Sequence, residues 1–499
     1  MKQYYIPKME EKDNYLKSER SQQWREDLRK KIKNKERTQI PRVKMNEIDP
    51  KERIKSYVEV NCGLNKEQAQ NEAARCLDCV NPTCISGCPV EINIPKFIKR
   101  IEEGKFDEAA KVLKDTSTLP AVCGRVCPQE KQCEAKCFYT QKLKKEPVAI
   151  GYLERFAADY EQASGQVSIP ELAEPNGIKI ACIGSGPAGL TFAGEMAKRG
   201  YEVTVFEALH EIGGVLKYGI PEFRLPNSVV DIEIDSLIKM GVHFETNFIV
   251  GKTATVEDLK EEGYQAFFTG SGAGLPRFMN IPGENYIGIL SSNEYLTRIN
   301  LMHAADKDSD TPVVSGKNVM VIGGGNTAMD SVRTAKRLGA ERAMIVYRRS
   351  MAEMPARIEE IEHAKEEGIE FMTLSNPVEY LADDKGRVNQ VRIQKMELGE
   401  PDASGRRRPI PIEGSEELIE VNTVVVSVGV SPNPIVPDSL PDLKTSSWGT
   451  IEVDADTFQS SMPEMFAGGD IVRGGATVIL AMGDGRKAAQ SMDAYLKGN

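Results

Sequence analysis

The sequence lacks several features that mark other classes of protein. Its 499 residues include only four histidines, His210, His243, His303 and His363. No apolar run approaches the roughly 18 to 20 residues that span a bilayer, so no membrane segment is expected. The start, MKQYYIPKMEEKDNY, carries acids and no apolar stretch, which argues against a secretory signal. These absences favour a cytoplasmic protein, where clustered cysteines usually bind metals or do redox chemistry rather than form disulfides.

The net charge and the length of the chain further limit the possible classes of protein. The 64 Lys and Arg against 74 Asp and Glu give a net charge of −10, which argues against a nucleic-acid partner. The length predicts two to four domains. Within the basic first 45 residues, Trp24, Leu28 and Ile32 recur every four residues and predict an amphipathic helix. We interpret this helix as lying on the protein's own surface rather than as a binding arm.

The cysteines are concentrated in two short stretches, CLDCVNPTCISGCP (Cys76 to Pro89) and CGRVCPQEKQCEAKC (Cys123 to Cys137). Structural zinc favours two CxxC knuckles or Cys/His mixtures, but the second stretch has no CxxC and all four histidines lie elsewhere. A proline directly after the last cysteine of a run, as at Cys88, is typical of bacterial ferredoxins. The spacing therefore favours iron–sulfur clusters, although a four-cysteine zinc site stays possible.

A first glycine fingerprint follows a linker at residues 164–177. A buried strand ending at Ile183 runs into Gly184, Gly186 and Gly189, then a helix, then a second strand that ends at Glu207. The glycines allow a tight turn and close approach to a pyrophosphate at the helix N-terminus. The acid suits a ribose diol. Because a second fingerprint, described next, accounts for a nicotinamide dinucleotide, we interpret this first site as binding FAD.

A second fingerprint has a different ending. Gly323, Gly325 and Ala328 fill the three positions, and the second strand ends in Arg348 and Arg349. An acid there would repel a 2′-phosphate, whereas a guanidinium binds it with charge-assisted hydrogen bonds. The second site is therefore predicted to prefer NADP(H).

Longer strings resemble one family over residues from about 40 to 499. They resemble the small (beta) subunit of NADPH-dependent glutamate synthase and its relatives, which include the large subunit of NADH-dependent reduced ferredoxin:NADP oxidoreductase and the N-terminal half of dihydropyrimidine dehydrogenase. The strings are GGVLKYGIPEFRLP, LPAVCGRVCPQEKQCEAKC, EPVAIGYLERF, SGAGLPRFMNIPGEN, IGGGNTAMDSVR and FAGGDIVRGGATVILAMGDGRKAAQSM. Unlike flavoproteins of the glutathione reductase type, the flavoprotein part has no CxxxxC. Its only cysteine, Cys182, lies inside a strand, so electrons must leave by another route.

The resemblance implies an α/β fold with an N-terminal α-helical iron–sulfur domain. Two Rossmann-like domains follow, with the NADPH domain inserted in the FAD domain. The expected divisions are a basic extension at 1–45, a double [4Fe-4S] domain at 46–170, FAD-binding parts at 176–285 and 431–499, and an NADPH-binding domain at 286–430.

The resemblance also implies site residues that position cofactors, with no further catalytic residue. Asp470 would bind the flavin ribityl chain, and Thr477 would begin a helix aimed at the pyrimidine end of the isoalloxazine. The expected FAD residues are Gly184, Gly186, Gly189, Glu207, Gly214, Arg224, Gly469, Asp470 and Thr477. The expected NADPH residues are Gly323, Gly325, Asn326, Thr327, Arg348 and Arg349.

Two [4Fe-4S] clusters are expected from the family pattern. The first would be bound by Cys76, Cys79, Cys84 and Cys137, and the second by Cys88, Cys127, Cys133 and Glu154. Cys123 would be a spare thiol, although either it or Glu154 could complete the second cluster. The alternative for Glu154 is a solvent-facing acid paired with a nearby Arg or Lys.

The implied function is transfer of electrons from NADPH through FAD and the two clusters to a partner that forms glutamate. The chain lacks an N-terminal nucleophilic cysteine and room for an FMN barrel of about 250 residues, so glutamate formation would require a separate large subunit. The alternative is an electron-bifurcating complex with a small FAD/[2Fe-2S] flavoprotein and ferredoxin. A third hypothesis, a non-enzymatic metal scaffold, fits the double fingerprint poorly. An oligomer is expected, with no nucleic acid and no membrane.

Overall fold

A computed structural model describes residues 9–313, 315–402 and 405–498. The first eight residues of the expected N-terminal extension lie outside this range. Within it, no helix combines the length and apolar character needed to cross a bilayer.

The cysteine-rich part of the chain is built mainly of helices, as the sequence indicates. A small antiparallel hairpin of β1 (Asn46–Glu47) and β2 (Asn61–Gly63) interrupts them, and single helical turns at Ile85–Gly87, Gln129–Lys131 and Tyr139–Leu143 lie between or after the cysteines. The helices are α1 (Met9–Arg20), α2 (Gln23–Lys31), α3 (Asn34–Arg37), α4 (Pro50–Arg53), α5 (Lys66–Ala74), α6 (Ile94–Glu103), α7 (Phe106–Lys114), α8 (Pro120–Val126) and α9 (Ile150–Ala163).

Strands and helices then alternate, as the β-branched runs of the sequence predict. The first such segment contains β3 (Lys179–Ile183), α10 (Pro187–Lys198), β4 (Glu202–Phe206), α11 (Val215–Tyr218), α12 (Asn227–Lys239), β5 (His243–Glu245), α13 (Val256–Glu261) and β6 (Tyr264–Thr269). The second contains β7 (Leu275–Pro276), β8 (Ile289–Ser291), α14 (Ser292–Asn300), β9 (Asn318–Ile322), α15 (Asn326–Arg337), β10 (Arg342–Tyr347), α16 (Ile358–Glu366), β11 (Glu370–Thr373), β12 (Ser375–Ala382), β13 (Val388–Pro401), β14 (Arg407–Pro411), β15 (Glu417–Glu420), β16 (Thr423–Val426), β17 (Val430–Ser431) and α17 (Ile435–Ser439). The chain ends with β18 (Met465–Ala467), α18 (Asp470–Arg473) and α19 (Val478–Leu496).

Ten of these strands form two parallel sheets, one nested inside the other in chain order, and β12 to β15 form a separate antiparallel sheet. The first sheet has the order β18-β6-β3-β4-β5 and the second the order β11-β10-β9-β16-β8. Every strand of the second sheet falls between β6 and β18, and the chain leaves and returns through β7 and β17, which pair antiparallel. The expected α/β fold with an inserted second unit is confirmed, whereas the domain boundaries stay predictions.

The helical part and the first sheet share one hydrophobic core. Phe97 and Leu113 of the helices belong to the same buried cluster as Leu190 and Leu237 beside the sheet. A buried acid also bridges them, since Oε1 of Glu233 on α12 accepts a hydrogen bond from the backbone N–H of Ala121 at 2.9 Å. Burial raises the pKa of Glu233 to about 7, although the Ala121 N–H opposes this. The cysteine-rich part is therefore packed directly against the first sheet.

The predicted amphipathic helix near the N-terminus packs on the protein itself. It corresponds to α2, although Ile32 lies just beyond its end. The Trp24 ring lies 3.6 Å from the guanidinium carbon of Arg100 on α6, a cation–π contact. The next residue of the same helix, Arg25, is buried and binds Asp78.

Candidate functional site

The first glycine loop joins β3 to α10 at the carboxyl edge of the first sheet. A Cβ at Gly189 would lie 2.0 Å from the carbonyl oxygen of Gly184, so the helix can approach the strand only if this residue is glycine. A Cβ at Gly186 would meet no atom within 4 Å. The N-terminus of α10 therefore has open space where a pyrophosphate is expected.

The carboxylate of Glu207 follows β4 and is held beside this loop. It is buried, and its Oε2 accepts hydrogen bonds from the N–H of Ser185 at 2.9 Å and from the Ser185 hydroxyl at 2.5 Å. Gly214 approaches the same loop, since a Cβ there would lie 3.0 Å from Cα of Gly186. The structure brings these predicted FAD residues together. Ser185, which orients the acid, was missed because a serine between two glycines carries no distinctive signal.

The C-terminal motif reaches the same edge because β18 lies next to β6 in the first sheet. The N–H of Gly469 donates to Asp484 Oδ2 at 3.0 Å, and Asp470 Oδ1 accepts from the N–H of Ala476 at 2.9 Å. Burial raises the pKa of Asp470 to about 6. Thr477 is the N-cap of α19, as the resemblance implies.

Arg224 has partners in the inserted unit instead. Its Nη1 is 2.7 Å from Asp330 on α15, and its Nε is 3.4 Å from Glu360 on α16. Both acids are buried. Its predicted contact with FAD stays a prediction, and its visible role is to tie the first unit to the second.

The second glycine loop joins β9 to α15. Gly325 has open space around it like Gly186, and Thr327 is exposed. Asn326 has a structural partner, because its Oδ1 accepts a hydrogen bond from the N–H of Arg357 at 2.8 Å. Together with Gly323 these predicted NADPH residues lie in a single loop.

The two arginines after β10 differ in their surroundings. Arg348 is exposed, whereas Arg349 is buried, 2.6 Å from Asp402 Oδ2, and donates to the carbonyl of Arg407 at 2.8 Å. Both contacts of Arg349 come from residues after β12. Arg349 is therefore held by other residues of the chain, whereas Arg348 is exposed, and a contact of either residue with a 2′-phosphate stays a prediction.

The first cysteine group consists of Cys76, Cys79, Cys84 and Cys137. Burial raises the pKa of Cys79 to about 12, with Cys76 and Cys137 as its strongest charged neighbours. Burial likewise raises the pKa of Cys84, with Cys76, Cys137 and Cys79 as neighbours. The predicted ligands of the first cluster therefore lie close enough together to influence one another's ionisation.

Asp78 fixes the backbone between two of these cysteines. It is fully buried with φ +51°, and its carboxylate binds the guanidinium groups of Arg25 and Arg29. Arg20 donates to its carbonyl at 2.8 Å. The N-terminal helices therefore hold the Cys76–Cys79 loop, a role the sequence did not reveal because the partners are about 50 residues apart.

The second group consists of Cys88, Cys127, Cys133 and Glu154. Burial raises the pKa of Cys88 to about 12, and Glu154 and Cys127 contribute to the rise. Glu154 is only 5% exposed, and its Oε1 has no hydrogen-bond partner among the described residues. Burial and the nearby Glu233 raise the pKa of Glu154 to about 8. It is not the solvent-facing acid of the alternative interpretation, and a buried oxygen without a partner fits a metal ligand.

Cys123 lies beside the second group. It is fully buried, and its pKa is raised by a hydrogen bond with Cys127 and by burial. Its Sγ is also 3.4 Å from Sδ of Met482 on α19. Both contacts occupy the thiol, which fits the expected spare position, and the choice between Cys123 and Glu154 stays a prediction.

The spacing within both groups suits a cluster better than a single ion. In the described part of the chain, no three of these sulfur and carboxylate atoms lie within 4.8 Å of one another. A tetrahedral zinc site with Zn–S bonds of about 2.3 Å would hold its sulfurs about 3.8 Å apart. The donor set of buried thiols therefore fits the larger iron–sulfur group.

Comparison with known families and proteins agrees with this arrangement. Residues 53–166 match the family described as dihydropyrimidine dehydrogenase domain II, 4Fe-4S cluster. Residues 178–485 match the family described as pyridine nucleotide-disulphide oxidoreductase. The FprA structure from Mycobacterium tuberculosis in complex with NADPH shares the fold, with a TM-score of 0.54 and 20% identity over 65% of this chain and 85% of that one.

Full-length relatives are more similar in sequence. The glutamate synthase [NADPH] small chain of Azospirillum brasilense is 37% identical, covering 89% of this chain and 93% of that protein. That of Escherichia coli (strain K12) is 36% identical, covering 91% and 98%. The NADP(+)-dependent formate dehydrogenase subunit beta of Moorella thermoacetica is 38% identical, but the match covers only 60% of its longer chain. The chain therefore belongs to the glutamate synthase small-chain family and is an NADPH-dependent oxidoreductase that uses FAD and 4Fe-4S clusters.

Proposed function

We propose that this chain takes electrons from NADPH and delivers them, through its cysteine-rich part, to a large subunit that forms glutamate. The observation that carries the proposal is the position of the two cysteine groups relative to the predicted flavin site. The second group lies against α19, whose N-terminus belongs to the predicted flavin site, and the first group lies near the surface.

Two contacts support the placement of the second group beside α19. Cys123, next to that group, touches Met482 of α19 at 3.4 Å. One residue later, a Cβ at Gly483 would lie only 3.0 Å from Cβ and 3.1 Å from the carbonyl oxygen of Pro89, which follows Cys88. The absence of a side chain at Gly483 thus lets α19 lie directly on the Cys88–Pro89 backbone. The predicted flavin site and the second group are therefore connected along α19 by covalent bonds and short van der Waals contacts, through which electrons can pass.

The chain's own residues supply alignment rather than acid–base chemistry. When bound, flavin accepts a hydride as two electrons, and iron–sulfur clusters carry electrons one at a time. Thr477 caps α19, and the positive end of that helix stabilises negative charge on whatever is bound in front of it. The open spaces at Gly186 and Gly325 leave room for two pyrophosphates.

A surface beside the first group suits a protein partner. Val80 and Phe138, which directly follow Cys79 and Cys137, are 56% and 41% exposed. Lys136, Lys142 and Lys144 are exposed close to them in sequence. We call Val80, Phe138 and these lysines the exit face. Apolar side chains with a basic rim fit a partner surface with an apolar centre and acidic surroundings.

The first experiment establishes the cofactors and the donor. Protein purified without oxygen is expected to show flavin absorption with a broad iron–sulfur shoulder and to reduce ferricyanide with NADPH in preference to NADH. Mixing with a glutamate synthase large subunit is expected to give NADPH- and glutamine-dependent glutamate formation. A protein without flavin absorption would contradict the proposal. Stable association with a small FAD/[2Fe-2S] flavoprotein instead would favour the bifurcating alternative.

Substitutions on the exit face test the direction of transfer. Val80→Glu and Phe138→Glu are expected to lower glutamate formation while leaving NADPH–ferricyanide activity unchanged, since ferricyanide needs no docking site there. Leu418→Glu is the matched control, because Leu418 is an apolar residue, 47% exposed, on the distant β15. Equal losses in all three variants would contradict the assignment of the exit face.

A further inference from the structure

A group of possible metal ligands lies apart from both cysteine groups, where the N-terminal hairpin meets the inserted unit. Glu359 and His363 lie four residues apart on α16, so their side chains share one face of the helix. Glu47 on β1 faces them. One ligand atom from each residue lies within 4.8 Å of the other two, and no other His, Cys, Asp and Glu trio in the described part of the chain meets this condition.

His363 is an unusual residue for this interface. It is only 3% exposed, and neither ring nitrogen has a hydrogen-bond partner among the described residues. Its Nε2 is 3.2 Å from Oε2 of Glu47, close enough for an ion pair but without hydrogen-bond geometry. A buried imidazole left without partners is costly, and metal binding at one ring nitrogen would remove much of that cost.

The oxygen atoms around His363 also have few or long hydrogen bonds. Oε1 of Glu359 receives only two contacts at 3.4 Å, from Tyr152 and from Nδ2 of Asn61. Oδ1 of Asn61 is buried and has no hydrogen-bond partner in the described structure. The other carboxylate oxygen of Glu359 pairs with Arg357 at 2.8 Å, which holds the side chain in place. The trio therefore offers one nitrogen and two oxygens with unused lone pairs.

A direct contact between His363 and Glu47 without a metal is the competing explanation, and the zinc measurement below distinguishes the two. Arg53 holds this part of the interface in place, because its Nη1 lies 3.5 Å from the same Glu47 oxygen and its Nη2 donates to the His363 carbonyl at 3.3 Å. The charge of Arg53 is itself balanced by Glu366 at 2.8 Å and Glu367 at 2.9 Å.

We propose that Glu47, Glu359 and His363 bind one divalent cation of the zinc class. Imidazole and carboxylate are ligands that zinc accepts, with bonds of about 2.0–2.2 Å and tetrahedral geometry. Such ligands lie about 3.3 Å apart, so the three ligand atoms, which lie within 4.8 Å of one another, draw closer on binding, and the exposed Glu47 side chain is the freest to move. Water or Oδ1 of Asn61 completes the fourth position.

The cation joins two parts of the chain that the nucleotide site depends on. β1 belongs to the N-terminal region, whereas α16 begins directly after Arg357, whose N–H is bound by Asn326 of the second glycine loop. Occupancy of the site would fix α16, and through it that loop, against the cysteine-rich part. This inference does not rest on the proposed partner or on electron transfer, since it concerns a separate ligand.

The test measures zinc in the complete protein with its flavin and iron. Proteins with equal iron content are dialysed against micromolar zinc with a weak competing chelator, and bound zinc is measured by mass spectrometry. Equal iron content matters because cysteines without their cluster would also bind zinc. The wild type is expected to bind one zinc per chain and to show a higher unfolding temperature than the zinc-free protein.

Isosteric variants of the two carboxylates test whether zinc binds at this site. Glu47→Gln and Glu359→Gln are expected to weaken zinc binding at least about tenfold, since loss of even an outer ligand contact costs that much. Glu362→Gln is the control, because Glu362 is exposed on the same helix and pairs with Lys365. His363→Gln is less informative on its own, since the residue is buried and the variant can fail to fold. Absence of stoichiometric zinc in the wild type, or equal binding in all these proteins, would overturn the proposal.

Discussion

Replacement of Glu154 tests which residue completes the second cysteine group. The side chain is 5% exposed, and its Oε1 finds no partner within the described structure. Burial, helped by Glu233, raises the pKa of Glu154 from 4.5 to about 8. This shift means that ionising the carboxyl inside the protein costs about 5 kcal/mol more than in water. A carboxylate at this position therefore needs a cation, and iron of the predicted second cluster would supply that charge.

Glu154→Ala removes the predicted oxygen ligand and leaves Cys88, Cys127 and Cys133 unchanged. Iron is expected to fall from about eight towards about four atoms per chain, because one of two four-iron clusters loses a ligand. Glu154→Gln keeps a neutral oxygen, so we expect the cluster to be retained with an altered reduction potential. Iron and sulfide analysis together with EPR of the reduced, anaerobically prepared protein distinguishes these results.

Cys123→Ala is the matched control. Cys123 is buried beside the same group, but its thiol already contacts Met482. We expect this variant to keep about eight iron atoms and both EPR signals. Loss of a cluster in Cys123→Ala, with both clusters kept in Glu154→Ala, would refute the reasoning.

Three further predictions follow from residues outside the cysteine groups. Arg348→Ala is expected to raise KM for NADPH about 10- to 100-fold and leave KM for NADH unchanged, because a hydrogen bond to a charged group contributes about 1.5–3 kcal/mol; steady-state ferricyanide assays measure this. Burial raises the pKa of Glu233 to about 7, so the folded state holds its proton more tightly than the unfolded state and loses stability as pH rises from about 4.5 to 7. Glu233→Gln should remove up to about 3 kcal/mol of that pH dependence, measured by urea unfolding at pH 5 and pH 8. Gly483→Val, which crowds Pro89, should destabilise the protein by about 1–3 kcal/mol in thermal unfolding and slow reduction of the iron–sulfur absorbance after the flavin in stopped-flow experiments.

Each of these has a distinct control or contradicting result. Arg342→Ala is the control for Arg348, since Arg342 is on the same strand and pairs with Glu370; an equal rise in KM would argue against a phosphate contact. An unchanged difference in stability between pH 5 and pH 8 would contradict the prediction for Glu233. A Gly483→Val protein with normal unfolding and normal reduction kinetics would exclude a tight contact between α19 and Pro89.

The sequence predicted best those features that depend on residues close together in the chain. The strand–glycine–helix units at Gly184 and Gly323 could be placed because the hydrophobic run, the turn and the acid or arginine all lie within about 30 residues. The resemblance added the order of the two sheets, which depends on segments far apart. Within each of the two predicted clusters, the expected ligands lie near one another in the structure. The choice between Glu154 and Cys123 stays a prediction.

What could not be predicted depends on partners distant in sequence. Arg349 looks equivalent to Arg348 in the sequence, but Asp402, 53 residues later, holds it. Arg224 reaches Asp330 across 106 residues. The sequence pattern alone cannot predict such pairs, because each member is by itself an ordinary charged residue. His363 was noted in the sequence only as lying outside the cysteine region, and its significance arises from the strand that packs on α16.

The nested chain order also determines when each sheet is complete during synthesis. The second sheet has all its strands once β16 at Thr423–Val426 has emerged, whereas the first sheet lacks β18 until Met465–Ala467 and α19 until Val478–Leu496. Because domains tend to fold as they leave the ribosome, the inserted unit can form first while β6 still exposes an unpaired edge. A chain that stalls or is cleaved between these points therefore presents a strand edge open to non-native pairing. The unit predicted to hold the flavin is the last of the two to form, so a bound flavin would report that β18 and α19 had been made and were in place.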